Sequence, residues 1–315
     1  MSKIDDILNG KQMNLFGEMQ VSEEKMKLQS EYIIPPFSFL DTRQGYWIDR
    51  ALKWRKILGR GDAGRAKNLT FPSFDKSKYS LFVPESGTSS FDPVLVEIMY
   101  RWFSCENWTI LDPFSGGIIG GGVSSLLNRK YIGFELRKEQ IETNMNKVNE
   151  LGLKDIIYIN DDSNNLDKYL KDNSIDFIFT CPPYFDLEKY SDDEKDLSNM
   201  DWETFKVSYE NILTKACKAL KENRFAGVTI SDIRDKKGFY RGLPRFTDEI
   251  FEKNGLRLYD EFVEILQNGS GIVRVSKQFR DNRKVIRNYQ IVKIYYKGNP
   301  KDIKKNFPTL KELGV

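Results

Sequence analysis

The residues best suited to chemistry form a rigid corner at the end of an apolar run. The run 175–179 has the pattern of a buried strand, and it is followed by Cys181, Pro182, Pro183 and Tyr184. Two consecutive prolines fix the backbone, so the carbonyl before or at the first proline keeps one direction. Without further support, the same corner would be a strand-ending turn with a surface tyrosine.

A second set of candidates follows three earlier strand-like runs. Glycines crowd the segment 112–122 after the first run, Glu135 ends the second, and Asp161 and Asp162 end the third. Because the carboxyl ends of parallel strands meet at one edge of a sheet, these groups are expected to share a crevice. Glu135, 23 residues after Asp112, has the offset of a carboxylate that grips the hydroxyls of a ribose.

Composition excludes several classes of site. The 315 residues contain no histidine, which excludes Ser-His-Asp and Cys-His catalysis and the common histidine-bearing metal sites. The glycine loop has no Gly-x-x-x-x-Gly-Lys-Ser/Thr pattern and is accompanied by acids, so a nucleoside triphosphate is disfavoured. Acids suit a cofactor with a ribose, an amino group and a positive charge, and S-adenosylmethionine has all three. Three cysteines without paired spacing indicate a reducing compartment, and we expect a cytoplasmic protein.

Alternating elements must position these groups. Helix-like stretches separate the first five strand-like runs and predict an α/β fold with a mostly parallel sheet and helices on both faces. The last two runs are joined by a loop without a clear helix and are expected to be antiparallel to each other. The seven strand-like runs are 108–111, 131–134, 156–159, 175–179, 225–230, 258–266 and 289–296.

The organisation of the chain follows from these patterns. We expect a flexible tail over 1–30, a basic extension over 31–85, a catalytic block over 86–300 and a C-terminal tail over 301–315. Asp92 is expected to cap a helix that has Pro93 at its first position, with an apolar face running to Phe103.

Two motifs carry a family resemblance. Asp112-Pro113-Phe114-x-Gly116-Gly117 resembles the first motif of the DNA amino-methyltransferases, and Thr180-Cys181-Pro182-Pro183-Tyr184 resembles their catalytic motif. The chain is similar over about 33–300 to the DNA modification methylases of phages and prophages, some of which serve restriction-modification. The resemblance implies a Rossmann-like S-adenosylmethionine-dependent methyltransferase fold and methylation of an exocyclic amino group on a base flipped out of double-stranded DNA.

The resemblance also assigns roles. Cys181 and the Pro182 carbonyl, held by Pro183, would orient the amine, Tyr184 would stack on the base, and Phe185 would support that stack. The residues that would hold S-adenosylmethionine are Thr88, Ser89, Phe91, Asp112, Phe114, Gly116, Gly117, Glu135, Asp162, Ser163 and Thr180.

Cys181 departs from the family pattern, which has Asp, Asn or Ser before the prolines. Sulfur is a weak hydrogen-bond acceptor, and cysteine is shaped like serine, so N4 of cytosine is favoured slightly over N6 of adenine. C5-cytosine chemistry is disfavoured because its nucleophilic cysteine follows a proline. The alternatives are an RNA or protein-glutamine methyltransferase with the same Pro-Pro-Tyr corner and a catalytically silent DNA-binding protein.

Basic clusters indicate a nucleic-acid partner. The segment 43–67 carries eight Lys/Arg against two Asp, and the segment 274–287 carries six against one. Such clusters form phosphate-tracking surfaces or, alternatively, solvated helix faces. The segments 186–200 and 232–288 are candidates for target recognition, and the basic extension 31–85 is a second candidate for contact with DNA. The predicted DNA-binding residues are Lys236, Lys237, Arg241, Arg274, Lys277, Arg280, Arg283 and Lys284.

A short peptide near the N-terminus resembles a docking motif. Gln12, Leu15 and Phe16 match the spacing by which bacterial DNA-processing proteins bind the replication sliding clamp. One amide and two apolar anchors on an exposed tail could enter a groove of such a partner. A chance match or a tail helix packed on the core is the alternative.

Overall fold

The computed structural model describes residues 32–59, 91–266 and 271–307, together with the strand pair at 12–13 and 19–20. The strands in these ranges are β1 (Gln12–Met13), β2 (Met19–Gln20), β3 (Phe39–Asp41), β4 (Thr109–Asp112), β5 (Lys130–Phe134), β6 (Ile156–Ile159), β7 (Ile175–Thr180), β8 (Leu220–Ile230), β9 (Leu256–Ile265) and β10 (Tyr289–Lys297). The α-helices are α1 (Gly45–Leu58), α2 (Pro93–Phe103), α3 (Ile119–Leu126), α4 (Lys138–Leu151), α5 (Trp202–Ala219), α6 (Leu243–Lys253), α7 (Gly271–Asn282) and α8 (Ile303–Asn306).

One twisted sheet organises the molecule. Its strand order is β3-β9-β10-β8-β7-β4-β5-β6, so the order reverses beside β4, where the crevice of a doubly wound sheet lies. β10 runs antiparallel to both of its neighbours, and the other pairings are parallel. The predicted Rossmann-like α/β fold with a mostly parallel sheet is confirmed, including the antiparallel C-terminal strand.

Some elements differ from the prediction. The sheet has an eighth strand, β3, which pairs in parallel with β9. The helices α6 and α7 were not predicted, and α7 occupies the segment that was expected to be a loop without a clear helix. The start of α7 is hard to predict from the sequence because "GSGIVRVS" contains glycine and three β-branched residues. Glycine and β-branched residues both have low helix propensity.

Two apolar clusters hold the sheet between its helices. One cluster packs α1, α2 and α3 against the sheet, and the other packs α5 and α6. The helix α2 begins as predicted, because the Asp92 carboxylate accepts hydrogen bonds from the backbone N–H groups of Val94 and Leu95. Asp92 is thereby fixed close to the carboxyl edge of the sheet.

The described part of the N-terminal extension packs on this core. Glu97 of α2 is 1% exposed and accepts hydrogen bonds from Arg50 and Trp54 of α1 and from Arg101. The indole of Trp47 donates to Asp92. The segment 39–58 therefore contributes a strand and a helix to the same layers as the catalytic block. In the described ranges, no helix is both long and apolar enough to cross a membrane.

Candidate functional site

A cavity of about 380 Å³ opens at the carboxyl edge of the sheet. It is lined by residues that follow β4, β5, β6, β7 and β9, so one crevice collects the strand ends that the sequence singled out. The predicted site residues on its walls are Phe91, Asp112, Phe114, Gly116, Gly117, Glu135, Asp162, Ser163, Cys181, Pro182, Pro183 and Tyr184.

Asp112 anchors the loop between β4 and α3. Its Oδ1 accepts hydrogen bonds from Thr180 Oγ1 at 2.6 Å and from the Phe114 N–H at 3.1 Å, and its Oδ2 accepts from Tyr131 Oη at 3.1 Å. Burial raises the pKa of Asp112 to about 6, although the hydrogen bond from Thr180 opposes this rise. Thr180 is fully buried and supports Asp112 instead of lining the cavity, which changes its predicted role.

The glycines after β4 divide into two groups. Gly116, Gly117 and Gly120 line the cavity. A Cβ at Gly121 would lie 2.7 Å from Tyr158 Oη, and one at Gly122 would lie 2.7 Å from a Leu58 methyl group. These last two glycines let α3 pack closely on the sheet and on α1, and Gly120 has both roles, since a Cβ there would lie 2.8 Å from Tyr131 Oη. Gly116 and Gly117 are therefore the glycines best placed to contact a ligand.

Glu135 and Asp162 form a polar shelf beside the loop. Glu135 Oε1 accepts a hydrogen bond of 2.8 Å from the Arg137 N–H, and its side chain is 11% exposed. Asp162 Oδ1 caps the following 3₁₀ turn through the Asn164 N–H. Ser163 Oγ donates to the Pro113 carbonyl and ties this shelf to the glycine loop.

The corner after β7 is held by a polar chain. Tyr184 Oη donates to Gln290 Oε1 at 3.1 Å and lies 3.4 Å from both Cys181 Sγ and the Thr229 carbonyl. Burial raises the pKa of Cys181 to about 12, so the thiol stays protonated near neutral pH. Nucleophilic cysteines need the opposite shift. The structure therefore gives no support to a covalent Cys181 intermediate.

Phe185 does not extend the corner into the cavity. It is 5% exposed and packs edge-on against Trp202 and Phe205, so its predicted role beside a stacked base is not supported by its position. Its φ of 55° lies in the left-handed region, an unfavourable conformation for an aromatic residue. This turn sends Phe185 into the core while Tyr184 remains on the cavity wall.

The cavity residues that the sequence analysis missed include a polar pair, Glu264 and Gln290. Glu264, near the end of β9, is fully buried, and Gln290 lies directly opposite it on β10. Gln290 Nε2 donates to Glu264 Oε2 at 2.6 Å. The sequence pattern that could have identified Glu264 is its position two residues after Phe262, which places an acid on the buried face of the strand.

The segment after the corner forms a further wall. The stretch 188–196 connects two 3₁₀ turns, Phe185–Leu187 and Leu197–Asn199, and its residues Glu188, Tyr190 and Lys195 line the cavity. Part of the predicted recognition segment 186–200 therefore lies against the site. Among the other predicted ligand residues, Phe91 stacks on Phe179 at 5.0 Å, and Thr88 and Ser89 lie outside the described residues.

A basic surface lies at the same edge of the sheet. The described side chains of α7 are almost all exposed, including those of Arg274, Lys277 and Arg280. Lys236 and Lys237 are exposed on the neighbouring 231–241 loop, and Lys284 approaches that loop at Gly238. Arg283 is exposed, and its guanidinium lies 5.6 Å from the Phe279 ring centre.

Arg241 is placed differently from the other predicted DNA-binding residues. Its guanidinium lies 4.8 Å from the centre of the Trp202 ring and 5.0 Å from that of Phe185. Arg287 joins α7 to the 231–241 loop through Ser231 Oγ at 3.0 Å. These two arginines are half-buried in side-chain contacts, whereas Arg274, Lys277 and Arg280 are exposed.

The arrangement suits a two-part ligand site. One half offers a glycine loop, a helix start and carboxylates, and the other offers a fixed Pro-Pro corner with an aromatic ring. The two halves share one cavity. Such a site can hold a polar cofactor at one end and orient a planar, amine-bearing group at the other.

Comparisons with known proteins give fold-level likenesses only. No protein-family model matches the chain, and no curated protein matches it in sequence. Similar solved structures include TrmN from Thermus thermophilus, at 17% identity over 66% of this chain and 49% of that one with a TM-score of 0.43. A putative rRNA methylase from Clostridium thermocellum has 16% identity over 67% and 98%, with a TM-score of 0.43. A methyltransferase from Pyrococcus furiosus has 14% identity over 71% and 92%, with a TM-score of 0.45. The chain spans about half the length of TrmN, and these likenesses identify no substrate.

Proposed function

We propose that this protein is an S-adenosylmethionine-dependent methyltransferase that modifies the exocyclic amino group of a base in DNA, with N4 of cytosine favoured slightly over N6 of adenine. One observation carries the proposal: a single cavity joins the acid-lined glycine loop to the Cys-Pro-Pro-Tyr corner. Its volume of about 380 Å³ is within the range of ligand pockets.

The first half of the cavity fits S-adenosylmethionine. The loop at Gly116 and Gly117 allows close approach to the methionine part, and α3 starts beside it without a side-chain cap, leaving its N–H groups for a carboxylate. Glu135 would accept hydrogen bonds from the ribose hydroxyls, and Asp162 would contact the adenine edge. When bound, the cofactor supplies an electrophilic methyl group.

The corner would activate the amine by orientation. The lone pair of an exocyclic amino group is delocalised into the ring, so acceptors must draw the nitrogen towards tetrahedral geometry. The Pro182 carbonyl supplies a rigid acceptor, and the ring of Tyr184 supplies a stacking face on the cavity wall. Rigid placement of the amine against the methyl donor lowers the entropy cost of the reaction.

The basic surface supports a nucleic-acid substrate. A base must leave the duplex to reach an enclosed site, and the flanking phosphates then need cationic partners. The helix α7 emerges between β9 and β10, whose ends carry the cavity residues Glu264 and Gln290. The motif resemblance selects DNA over RNA.

A transfer assay tests this function. Purified protein is incubated with methyl-tritiated S-adenosylmethionine and, separately, with unmethylated DNA, total RNA and total protein. We expect label in the DNA fraction alone. Label confined to RNA or protein would replace the proposed substrate with the corresponding alternative, an RNA or a protein-glutamine methyltransferase.

A silent DNA-binding protein is the second candidate, and Cys181 is the observation that favours it. The Cys181 thiol is a weak acceptor that lies beside Tyr184 Oη. The variant C181S separates the two candidates. A silent binder would gain transfer activity, whereas an active enzyme would change by less than about tenfold.

We also propose that the peptide of Gln12, Leu15 and Phe16 binds a bacterial sliding clamp. Gln12 belongs to β1, whereas Leu15 and Phe16 lie outside the described residues, so the proposal is based on the sequence. Fluorescence anisotropy of a labelled 8–20 peptide with purified clamp tests it. Binding that is lost in F16A would support it, and equal binding by both peptides would contradict it.

A further inference from the structure

Glu264 is an unusual group for the interior of a sheet. Its side chain is fully buried at the cavity, and its Oε2 accepts a hydrogen bond from Gln290. Its Oε1 is also buried and has no hydrogen-bond partner among the described residues. Buried polar atoms without partners are rare because each one costs free energy, so such an atom at a cavity wall points to a missing ligand group.

The position of Glu264 is not explained by packing. Glu264 and Gln290 are directly opposite each other across β9 and β10, and β10 continues inward with the fully buried Val292 and Ile294. An apolar pair would continue that core without the desolvation cost. The polar pair of Glu264 and Gln290 lies where the two strands reach the cavity.

A hydrogen-bonded chain links this carboxyl to the corner. Glu264 Oε2 accepts from Gln290, and Gln290 Oε1 accepts from Tyr184, whose hydroxyl lies 3.4 Å from Cys181 Sγ. The chain fixes the Glu264 side chain through Oε2 and leaves Oε1 unpaired. All four residues line the same cavity.

We propose that Glu264 Oε1 accepts a hydrogen bond from the amino group of the target base and then takes its proton. This inference rests on the proposed methyltransferase function. As the nitrogen–methyl bond forms, the sulfur–methyl bond breaks and its electron pair stays on sulfur. The nitrogen, now positively charged, transfers one proton to the Glu264 carboxylate, which releases it to solvent after the product leaves.

Glu264 would supply what Cys181 lacks. A carboxylate is a stronger acceptor than a thiol, so the pair of acceptors becomes Glu264 Oε1 and the Pro182 carbonyl. Burial is the main cause that raises the pKa of Glu264 to about 8, and the charge of Asp92 is the second cause. The hydrogen bond from Gln290 opposes this rise. The other titratable groups coupled to Glu264 are Cys181 and Tyr184, and burial raises the pKa of both. The basic form of Glu264 should therefore appear as pH rises through about 8.

Single-turnover methyl transfer in E264Q tests the proposal. General-base groups typically contribute 10²- to 10⁴-fold, so we expect at least a 100-fold slower step with S-adenosylmethionine affinity unchanged within about twofold. The wild-type rate should rise to a plateau above pH 8, and E264Q should lose this rise. D260N, an exposed acid-to-amide change on the same strand, is the matched control. An unchanged rate and pH profile in E264Q would overturn the proposal.

A binding measurement separates this inference from the proposed function. Calorimetry is performed with protein loaded with the unreactive analogue sinefungin and titrated with 2′-deoxycytidine or 2′-deoxyadenosine. We expect one nucleoside to bind with an affinity that changes at least fivefold between pH 6.5 and 9 in the wild type and less than twofold in E264Q. If no substrate is methylated but the nucleoside still binds with this pH dependence, only the proposed function is contradicted. Absence of nucleoside binding, or the same pH dependence in E264Q, would overturn the role of Glu264.

Discussion

The cavity and the basic surface beside it follow opposite physical rules. The cavity buries two of its carboxyl groups: Asp112 is 3% exposed and Glu264 is fully buried. The basic surface exposes its charges, as at Lys277 and Arg280 on α7. Buried carboxyls cost free energy unless they are paired, whereas exposed lysines and arginines cost little.

This difference determines how much each region reveals about function. A buried acid with a raised pKa destabilises the fold, so its presence at a cavity indicates a ligand or a chemical role. An exposed cation costs little free energy, so one such residue indicates little by itself. DNA binding at the basic surface must come from many charges acting together. Single substitutions should therefore be severe in the cavity and mild on α7.

The largest effect is expected at Tyr184. Y184A removes the stacking face, and we expect methyl transfer to fall by 100-fold or more, since stacking contributes about 1–3 kcal/mol per base and its loss also misplaces the amine. Y184F is the matched control, because it keeps the ring and removes only the hydroxyl bonded to Gln290. Single-turnover kinetics of both variants check this. Equal losses in the two would show that the hydroxyl, and not the ring face, matters.

The next effect concerns the cofactor half of the cavity. E135A removes a carboxylate that we expect to bind the ribose hydroxyls, and a hydrogen bond to a charged group contributes about 1.5–3 kcal/mol. The affinity for S-adenosylmethionine should fall by roughly 10- to 100-fold in calorimetry. E139A, an exposed acid on the first turn of α4, serves as the control. An unchanged affinity of E135A for S-adenosylmethionine would show that Glu135 does not bind the ribose.

The basic surface should give a smaller effect. The triple variant K277Q/R280Q/R283Q should bind DNA about tenfold more weakly, and its log-log salt slope should be shallower by about 2 to 3. Fluorescence anisotropy over a salt series measures both quantities. K130Q/K154Q/K301Q removes three exposed lysines from the opposite edge of the sheet and should change neither. Equal losses of DNA affinity in the two triple variants would show that α7 contributes only through the overall charge of the protein and not as a specific DNA-binding surface.

The smallest expected effect is a pH dependence of folding stability at Asp112. Because burial raises its pKa to about 6, the folded protein binds this proton more tightly than the unfolded chain. The contribution of Asp112 to the free energy of unfolding is thus greatest below its ordinary pKa of about 4 and is lost as pH rises through 6. Relative to D112N, the wild type should lose about 1 kcal/mol of its free energy of unfolding between pH 5 and pH 7 in urea denaturation. A constant difference would contradict the raised pKa.

The sequence predicted the parts of the site that depend on strand ends. Asp112, Glu135 and Asp162 follow strands whose apolar runs are plain, and parallel pairing brings such ends together. Glu264 was missed because the register that places Gln290 opposite it, and the cavity beside the pair, appear only in the folded sheet, although antiparallel pairing of the two runs was expected. Phe185 was misplaced because a positive φ turns it into the core, and no local pattern signals that turn.

The fold shows the same division. The strands β4 to β7 were predicted nearly to the residue, since alternating strand and helix periods are local signals. The strand β3 was missed because three residues carry too little pattern, and it is held by pairing with a distant strand. The helix α7 was missed because its start contains glycine and β-branched residues and because its side chains from 273 onwards, whose burial the structure describes, bury no apolar stripe.

Nucleoside mass spectrometry of DNA after incubation with the protein and S-adenosylmethionine is the decisive test of amine methylation. We expect N4-methylcytosine, with N6-methyladenine as the other product of the same amine chemistry. Either product would require an amino group held at the corner beside the methyl donor. Formation of 5-methylcytosine, or of no methylated base while calorimetry shows bound cofactor, would contradict it.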